Sequence, residues 1–163
     1  MSKNNNYDMI TGFIMESRAS TYRLAYSYVH NKEDALDIIQ DSICKALSSV
    51  NSLDTPQYRK AWFYRIVINT ALDFLRKKKR YITVDEDVLE SIAPSLEDVY
   101  PDFDLQKELN KLSTTNKTIV MLRFYEDMKL DEIATIMNEN VNTVKSRLYS
   151  SLKRLRIELE NPS

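Results

Sequence analysis

The stretch Lys129–Glu158, KLDEIATIMNENVNTVKSRLYSSLKRLRIE, decides the fold, and it reads as two short amphipathic helices joined by a tight turn. In the first, Leu130, Ile133, Ala134 and Met137 recur at the spacing that falls on one face of a helix. In the second, Val141, Val144, Leu148, Leu152, Leu155 and Leu159 form one narrow apolar stripe. Opposite that stripe lie Thr143, Arg147, Ser150, Lys153 and Arg154, with Ser146 beside them, and no acid appears before Glu158. A helix with one buried face and a small, polar, basic outer face fits a DNA major groove. This helix-turn-helix reading is the strongest lead to function.

The rest of the composition agrees with helices. At 163 residues the chain suits one domain or two small ones. With 43% apolar and 29% charged residues it can bury a core and is not a disordered chain. One glycine and four prolines are too few turn residues for a β-rich fold, so the expectation is all-α. No apolar run is long enough to span a bilayer, and MSKNNNYDM lacks the apolar core of a signal peptide, which implies a soluble, cytoplasmic protein. The single Cys44 excludes an internal disulfide and offers no metal cluster, and nothing implies a cofactor. There is no paired catalytic carboxylate and no nucleophile beside a base, and the lone His30 sits at a helix end, a structural position. The chain is expected to bind, not to catalyse.

A net charge of −1 hides a strong asymmetry. From Tyr58 to Arg80 the chain carries Arg59, Lys60, Arg65, Arg76, Lys77, Lys78, Lys79 and Arg80 against Asp73 alone. The next stretch reverses sign, with Asp85, Glu86, Asp87, Glu90, Glu97, Asp98, Asp102, Asp104 and Glu108 facing only Lys107. Lys145 to Arg156 is basic again. Two basic blocks around an acidic one point to two nucleic-acid-facing surfaces joined by a linker, and Pro94 and Pro101 support the linker. For either block alone, an ordinary solvated face remains the alternative.

The chain before the linker is expected to hold helices over 8–28, 33–50 and 57–79, with Met9, Phe13, Ile14, Tyr22 and Ala25 as core of the first and Asn31 capping the second. Asn51 to Pro56 reads as a loop. After the linker, helices are expected over 103–112 and 115–125, ahead of the helix-turn-helix. The helix over 57–79 has two unlike faces. Phe63, Val67, Ala71 and Phe74, with Tyr64, Ile68 and Leu75 nearby, point one way; Trp62, Arg65, Asn69, Asp73 and Arg76 point the other. An aromatic ring among Asn and Arg suits stacking on bases and bonding to unpaired base edges. The alternative is that Trp62 packs under the preceding loop. Arg76 to Arg80 would add phosphate contacts. On the second helix Asp37 and Asp41 lie one turn apart with Gln40 close by, either a patch for a basic protein partner or a solvated face.

Three segments in order, DALDIIQDSICKAL, RKAWFYRIVINTALDFLRKKKR and LDEIATIMNENVNTVKSRLYSSLKRLR, resemble a small alternative sigma factor of the extracytoplasmic-function group, over about Tyr7 to Glu160. The resemblance implies two all-α domains. A region-2-like domain over 1–80 would bind core RNA polymerase and the promoter −10 element. An acidic linker over 81–102 would lead to a region-4-like helix-turn-helix domain over 103–163, which would read the −35 element. It implies that Asp37, Gln40 and Asp41 dock on the clamp helices of the largest catalytic subunit, with the flap of the second subunit as a further partner. Asp41 stands where a glutamate is usual, which shortens its reach and keeps its charge. Trp62, Arg65 and Asn69, continued by Arg76, would face the melted −10 strand, and Leu53, with Ser52 and Asp54, would help hold an extruded base. Thr143, Lys145, Ser146, Arg147, Tyr149, Ser150 and Lys153 match the recognition helix, with Lys145, Arg147, Lys153 and Arg154 as the phosphate contacts. Lys129 replaces the usual capping serine, Asn138 and Asn142 stand where glycines are usual, and Ser150 replaces a residue that is often basic. An anti-sigma protein, often membrane-anchored, is implied as a partner. Two other classes compete: an autonomous dimeric operator-binding regulator, and a helical adaptor that touches no DNA.

Overall fold

The computed structural model describes residues 2–53, 55–82 and 103–160. The chain divides into two units, residues 1–94 and 95–163. Among the described residues there is no strand, as the low glycine content implied. The first unit holds α1 (Ser2–Glu16), α2 (Arg18–Val29), α3 (Lys32–Ser48) and α4 (Arg59–Ile82). The second holds α5 (Phe103–Lys111), α6 (Thr114–Phe124), α7 (Leu130–Met137) and α8 (Val141–Glu160). The linker expected over 81–102 lies outside the described residues, except that Tyr81 and Ile82 continue α4.

The single helix expected over 8–28 is in fact two. The backbone at Ser17 leaves helical geometry at φ −95°, ψ 7°. The Ser17 hydroxyl donates back to the Phe13 carbonyl at 2.8 Å, and the Thr21 hydroxyl to the Ser17 carbonyl at 2.9 Å. Hydroxyls that bond the carbonyl one turn back compete with the backbone ladder and bend helices. Around this bend the core forms from Ile10 and Ile14 of α1, Leu24 and Ala25 of α2, Ala35 and Ile38 of α3, and Phe63, Val67 and Ala71 of α4, all buried. Phe13 sits at the rim, edge-on to the Phe63 ring at 6.2 Å, with the Arg59 guanidinium 5.9 Å above its centre.

The joint between α2 and α3 is only two residues long. His30 takes the left-handed conformation at φ 53° and its N–H closes on the Tyr26 carbonyl at 2.8 Å. Asn31 then caps α3, its side-chain oxygen accepting from the Asp34 N–H at 2.9 Å, as the sequence led us to expect. The segment read as a loop before α4 contains two single 3-10 turns, Val50–Ser52 and Pro56–Tyr58. Two contacts pin α4 to α3. Lys45 Nζ donates to the buried Thr70 hydroxyl at 3.1 Å, and Lys78 Nζ pairs with Asp34 at 2.8 Å.

In the second unit Leu109, Ile119, Met121, Leu122, Met128, Ile133, Val144, Leu148 and Leu155 are buried together as core residues. Ser113 caps α6 by accepting from the Asn116 N–H at 3.2 Å. Two charged side chains of the unit are buried, Lys117 and Glu126, and burial lowers the Lys117 ammonium to a pKa of about 8. Lys129 precedes α7 without a side-chain cap, because an ammonium has no acceptor. The reciprocal half of a capping box still forms, Glu132 accepting from the Lys129 N–H at 3.1 Å. Asn138 ends α7 in the left-handed conformation at φ 54°, ψ 47°, so asparagine serves where glycine is usual.

Candidate polymerase and promoter surfaces

The two helices of the helix-turn-helix form as read, and burial divides α8 by face. Val144, Leu148 and Leu155 are buried, and Ser151 fills the remaining inner position with its hydroxyl donating to the Arg147 carbonyl at 2.7 Å. Lys145, Ser146, Tyr149, Ser150 and Lys153 are exposed, and Thr143 and Arg147 are half-exposed. All seven expected recognition residues therefore lie off the buried stripe. Lys145 Nζ sits 6.0 Å over the Tyr149 ring, a cation–π contact one turn along the helix that holds both side chains outward. The helix is started by Asn140, whose side-chain oxygen accepts from the Asn142 N–H at 2.7 Å. Sequence reading missed that cap, although an asparagine just before the first valine of the stripe was the available signal. It also missed that Glu139 Oε1 approaches Arg147 Nη1 to 3.8 Å.

An apolar groove of about 500 Å³ opens in the same unit. It is lined by Leu105 and Leu109 of α5, Val120 and Phe124 of α6, Tyr125, and Leu152, Leu155 and Arg156 of α8. This explains why Leu152, though part of the apolar stripe, is only half-buried.

In the first unit, Arg65, Asn69 and Arg76 are exposed along α4, opposite the buried Phe63, Tyr64, Val67, Ile68 and Ala71. Trp62 is half-buried, so its ring offers one part to the fold and another to solvent. Arg76 pairs with Asp73 at 2.9 Å. The basic run that was expected to add phosphate contacts is thus partly engaged within the protein, since Lys78 is held by Asp34. Leu53 is only 4% exposed, so its side chain anchors the loop before α4, while its neighbour Ser52 is exposed. Asp54 lies outside the described residues. On α3, Asp37, Gln40 and Asp41 are all exposed. Beside them Leu36 is 49% exposed, an apolar surface residue that helical spacing alone does not separate from the core positions Ala35 and Ile38.

An acid-and-amide patch, an Arg–Asn–Trp face and a helix-turn-helix with a basic outer face define an all-helical, DNA-binding protein of two units. Comparison with known families and structures agrees. Residues 13–81 match the sigma-70 region 2 family and residues 102–155 match sigma-70 region 4. The chain is 51% identical to the RNA polymerase sigma factor SigV of Bacillus subtilis over 146 residues, covering 90% of this chain and 88% of that protein. It is 27% identical to the extracytoplasmic-function sigma factor SigW of the same organism over 176 residues, covering 98% and 93%. The solved structure of CnrH in complex with the cytosolic domain of CnrY matches with a TM-score of 0.72 at 22% identity, covering 94% of this chain and 89% of that one. That of RpoE with the anti-sigma factor NepR from Bartonella quintana matches at 0.71 and 23%, covering 93% and 99%. The last two likenesses speak to the fold. The chain belongs to the extracytoplasmic-function group of sigma-70 RNA polymerase sigma factors.

Proposed function

We propose that this sigma factor binds core RNA polymerase through its first unit and aims it at promoters by capturing the −10 element with α4 and reading the −35 element with α8. The observation that carries this reading is the pairing, in one chain, of an exposed Asp37–Gln40–Asp41 patch with two separate DNA-type faces, one on α4 and one on α8. Asp37, Gln40 and Asp41, with Leu36 at their edge one turn before Gln40, meet the clamp helices. Arg65 and Asn69, with the open part of Trp62, take unpaired −10 bases by stacking and edge bonding. The loop anchored by buried Leu53 lies before that helix and supports the extruded base, while Arg76 adds charge on the same exposed side. Thr143, Lys145, Ser146, Arg147, Tyr149, Ser150 and Lys153 enter the −35 major groove, where Lys145 and Lys153 grip its phosphates.

The domain limits follow: residues 1–80 for core and −10 binding, 81–102 as acidic linker, 103–163 for −35 binding. The groove of about 500 Å³ between α5, α6 and α8 suits an apolar helix from the polymerase flap. One solved neighbour is CnrH with the cytosolic domain of CnrY and the other is the sigma factor RpoE with the anti-sigma factor NepR, and the exposed surfaces here fit an anti-sigma partner that competes with polymerase. No helix among the described residues is long and apolar enough to cross a membrane. The protein's site of action is that of core polymerase, the cytoplasm, and a membrane-anchored anti-sigma partner would tether it. It acts by binding, not catalysis. Affinity for free promoter DNA is weak, because two small surfaces need the polymerase to hold their spacing.

The test is transcription by purified core polymerase plus this chain, with sequencing of transcript 5′ ends. New start sites sharing elements near −10 and −35 are expected. Absence of any chain-dependent start, despite folded protein and active core, refutes the reading.

A further inference from the structure

The turn into α8 places an acid against a cation of the recognition helix. Glu139 Oε1 lies 3.8 Å from Arg147 Nη1, with both side chains 38% exposed. A carboxylate beside a surface meant for phosphates opposes DNA binding, and an exposed ion pair adds little to stability. Its position calls for another reason. At 3.8 Å the contact is ionic and beyond hydrogen-bond length, and it engages a single nitrogen. The guanidinium has five N–H donors in a planar fork, so Arg147 held there keeps donors to spare. Arg147 stands within the second turn of α8, and Glu139 precedes that helix. Their long side chains therefore meet alongside the N-terminal turns, the end that enters a major groove. Arg147 also lines a polar cleft of about 430 Å³ with Ser113, Thr115, Asn116, Ser146 and Ser150, and no acid is among these residues.

We propose that Glu139 is a specificity-determining residue that pins Arg147 toward the N-terminal turns of α8 and penalises its use on phosphates. The inference rests on α8 being the −35 reader. On a −35 element the ion pair stays intact while the rest of the fork binds one base edge, a guanine O6 and N7 being the best acceptor pair for it. On arbitrary duplex DNA binding is mostly to phosphates. These flank the groove, so reaching them swings Arg147 outward and away from Glu139, whose carboxylate then faces the DNA uncompensated. The penalty falls on non-specific binding and not on the promoter. It therefore raises the ratio of specific to non-specific affinity, which decides occupancy against a genome of competing sites. Glu139 touches no DNA in this scheme; it acts through Arg147 as a positioning residue.

The test combines selection by reconstituted holoenzyme from a promoter library randomised across the −35 window with binding of the full-length chain to the unselected duplex pool. Glu139→Gln is expected to flatten the preference at one base pair and to tighten binding to the unselected pool about three- to fivefold, the scale of an exposed ion pair. Arg147→Ala should flatten the same base pair. Glu139→Asp keeps the charge but is one methylene short, and should behave like Glu139→Gln. The proposal is overturned if Glu139→Asp behaves as wild type, because net charge then suffices, or if Glu139→Gln leaves the base preference intact. It is equally overturned if Glu139→Gln has its full effect in an Arg147→Ala background. A wild-type window with no base preference, or one unmoved by Arg147→Ala, would instead remove the −35 reading and this inference with it.

Discussion

The two DNA-type faces of this protein use their cations differently. On α4 the basic tail is partly paired within the protein: Lys78 is held by Asp34 at 2.8 Å, across two helices, and the exposed Arg76 by Asp73 at 2.9 Å. On α8 the run Lys145 to Arg156 contains no acid, and the ion pair that Arg147 makes to Glu139 is long at 3.8 Å. Short pairs with partners inside the protein fix geometry, whereas a basic run without acids keeps its charge available to an outside polyanion. A face that captures melted bases needs rigid placement of aromatic and amide groups. A face that reads duplex needs phosphate attraction first and base contacts second. The contrast in ion pairing fits the division of labour proposed above.

The largest effect tests whether the two units are energetically separate. Phe63 is fully buried in the first unit and packs edge-on to Phe13. Phe63→Ala should destabilise that unit by about 3–5 kcal/mol in urea unfolding, leaving the amide spectrum of the second unit unchanged. Loss of both units together would end the treatment of the two faces as independent. Next comes Lys117, whose pKa is lowered by burial from the ordinary 10.5 to about 8. The folded state holds this proton less tightly than the unfolded chain, so the second unit carries the penalty in full below pH 8. Stability should then rise with pH between about 8 and 10.5, by roughly 3 kcal/mol in all. Lys117→Met should flatten that slope in thermal melts at several pH values; an unchanged slope would show the ammonium to be well solvated.

Smaller effects bear on the faces themselves. Asn69→Ala should reduce run-off transcription about tenfold, the scale of one base contact, while co-purification with core polymerase is retained. Equal transcription by the variant would detach α4 from −10 capture. The smallest effect separates the two kinds of ion pair. Asp34→Asn should lower the stability of the first unit by about 1 kcal/mol or less, since the Asp34–Lys78 pair is partly exposed. Asp34 also sits in the first turn of α3, so the same substitution removes a favourable dipole contact there. Glu139→Gln should leave stability unchanged. A reversed ranking in chemical denaturation would mean that the α8 pair, too, is structural.

Much of this was legible in the sequence because it is local. Apolar periodicity located α3, α4, α7 and α8 to within a few residues, and Asn31 and Asn138 announced their cap and turn by residue type. What the sequence did not show was either masked by a continuous pattern or made by distant partners. The break at Ser17 interrupts no periodicity, and two hydroxyls bonding backward bring it about. Lys78 finds Asp34 44 residues away, so the basic run looked wholly solvent-directed. Leu36 follows a core alanine and precedes a core isoleucine by two, and only packing shows it faces outward. Trp62 lies between the two readings, since it is neither fully docked nor fully open.

The two-residue joint at His30–Asn31 has a consequence for how this chain can change length. One residue supplies the left-handed turn and the next the cap, so the joint contains no slack. An extra residue inside α3 would turn everything after it by about 100°, sending Asp37, Gln40 and Asp41 to a new bearing while Ala35 or Ile38 lost its place inside. Substitution can tune this corner, but insertion or deletion would redirect the whole side proposed to meet polymerase. The spacing between core and docking residues here is a fixed measure, inherited as a length and not as a list of letters.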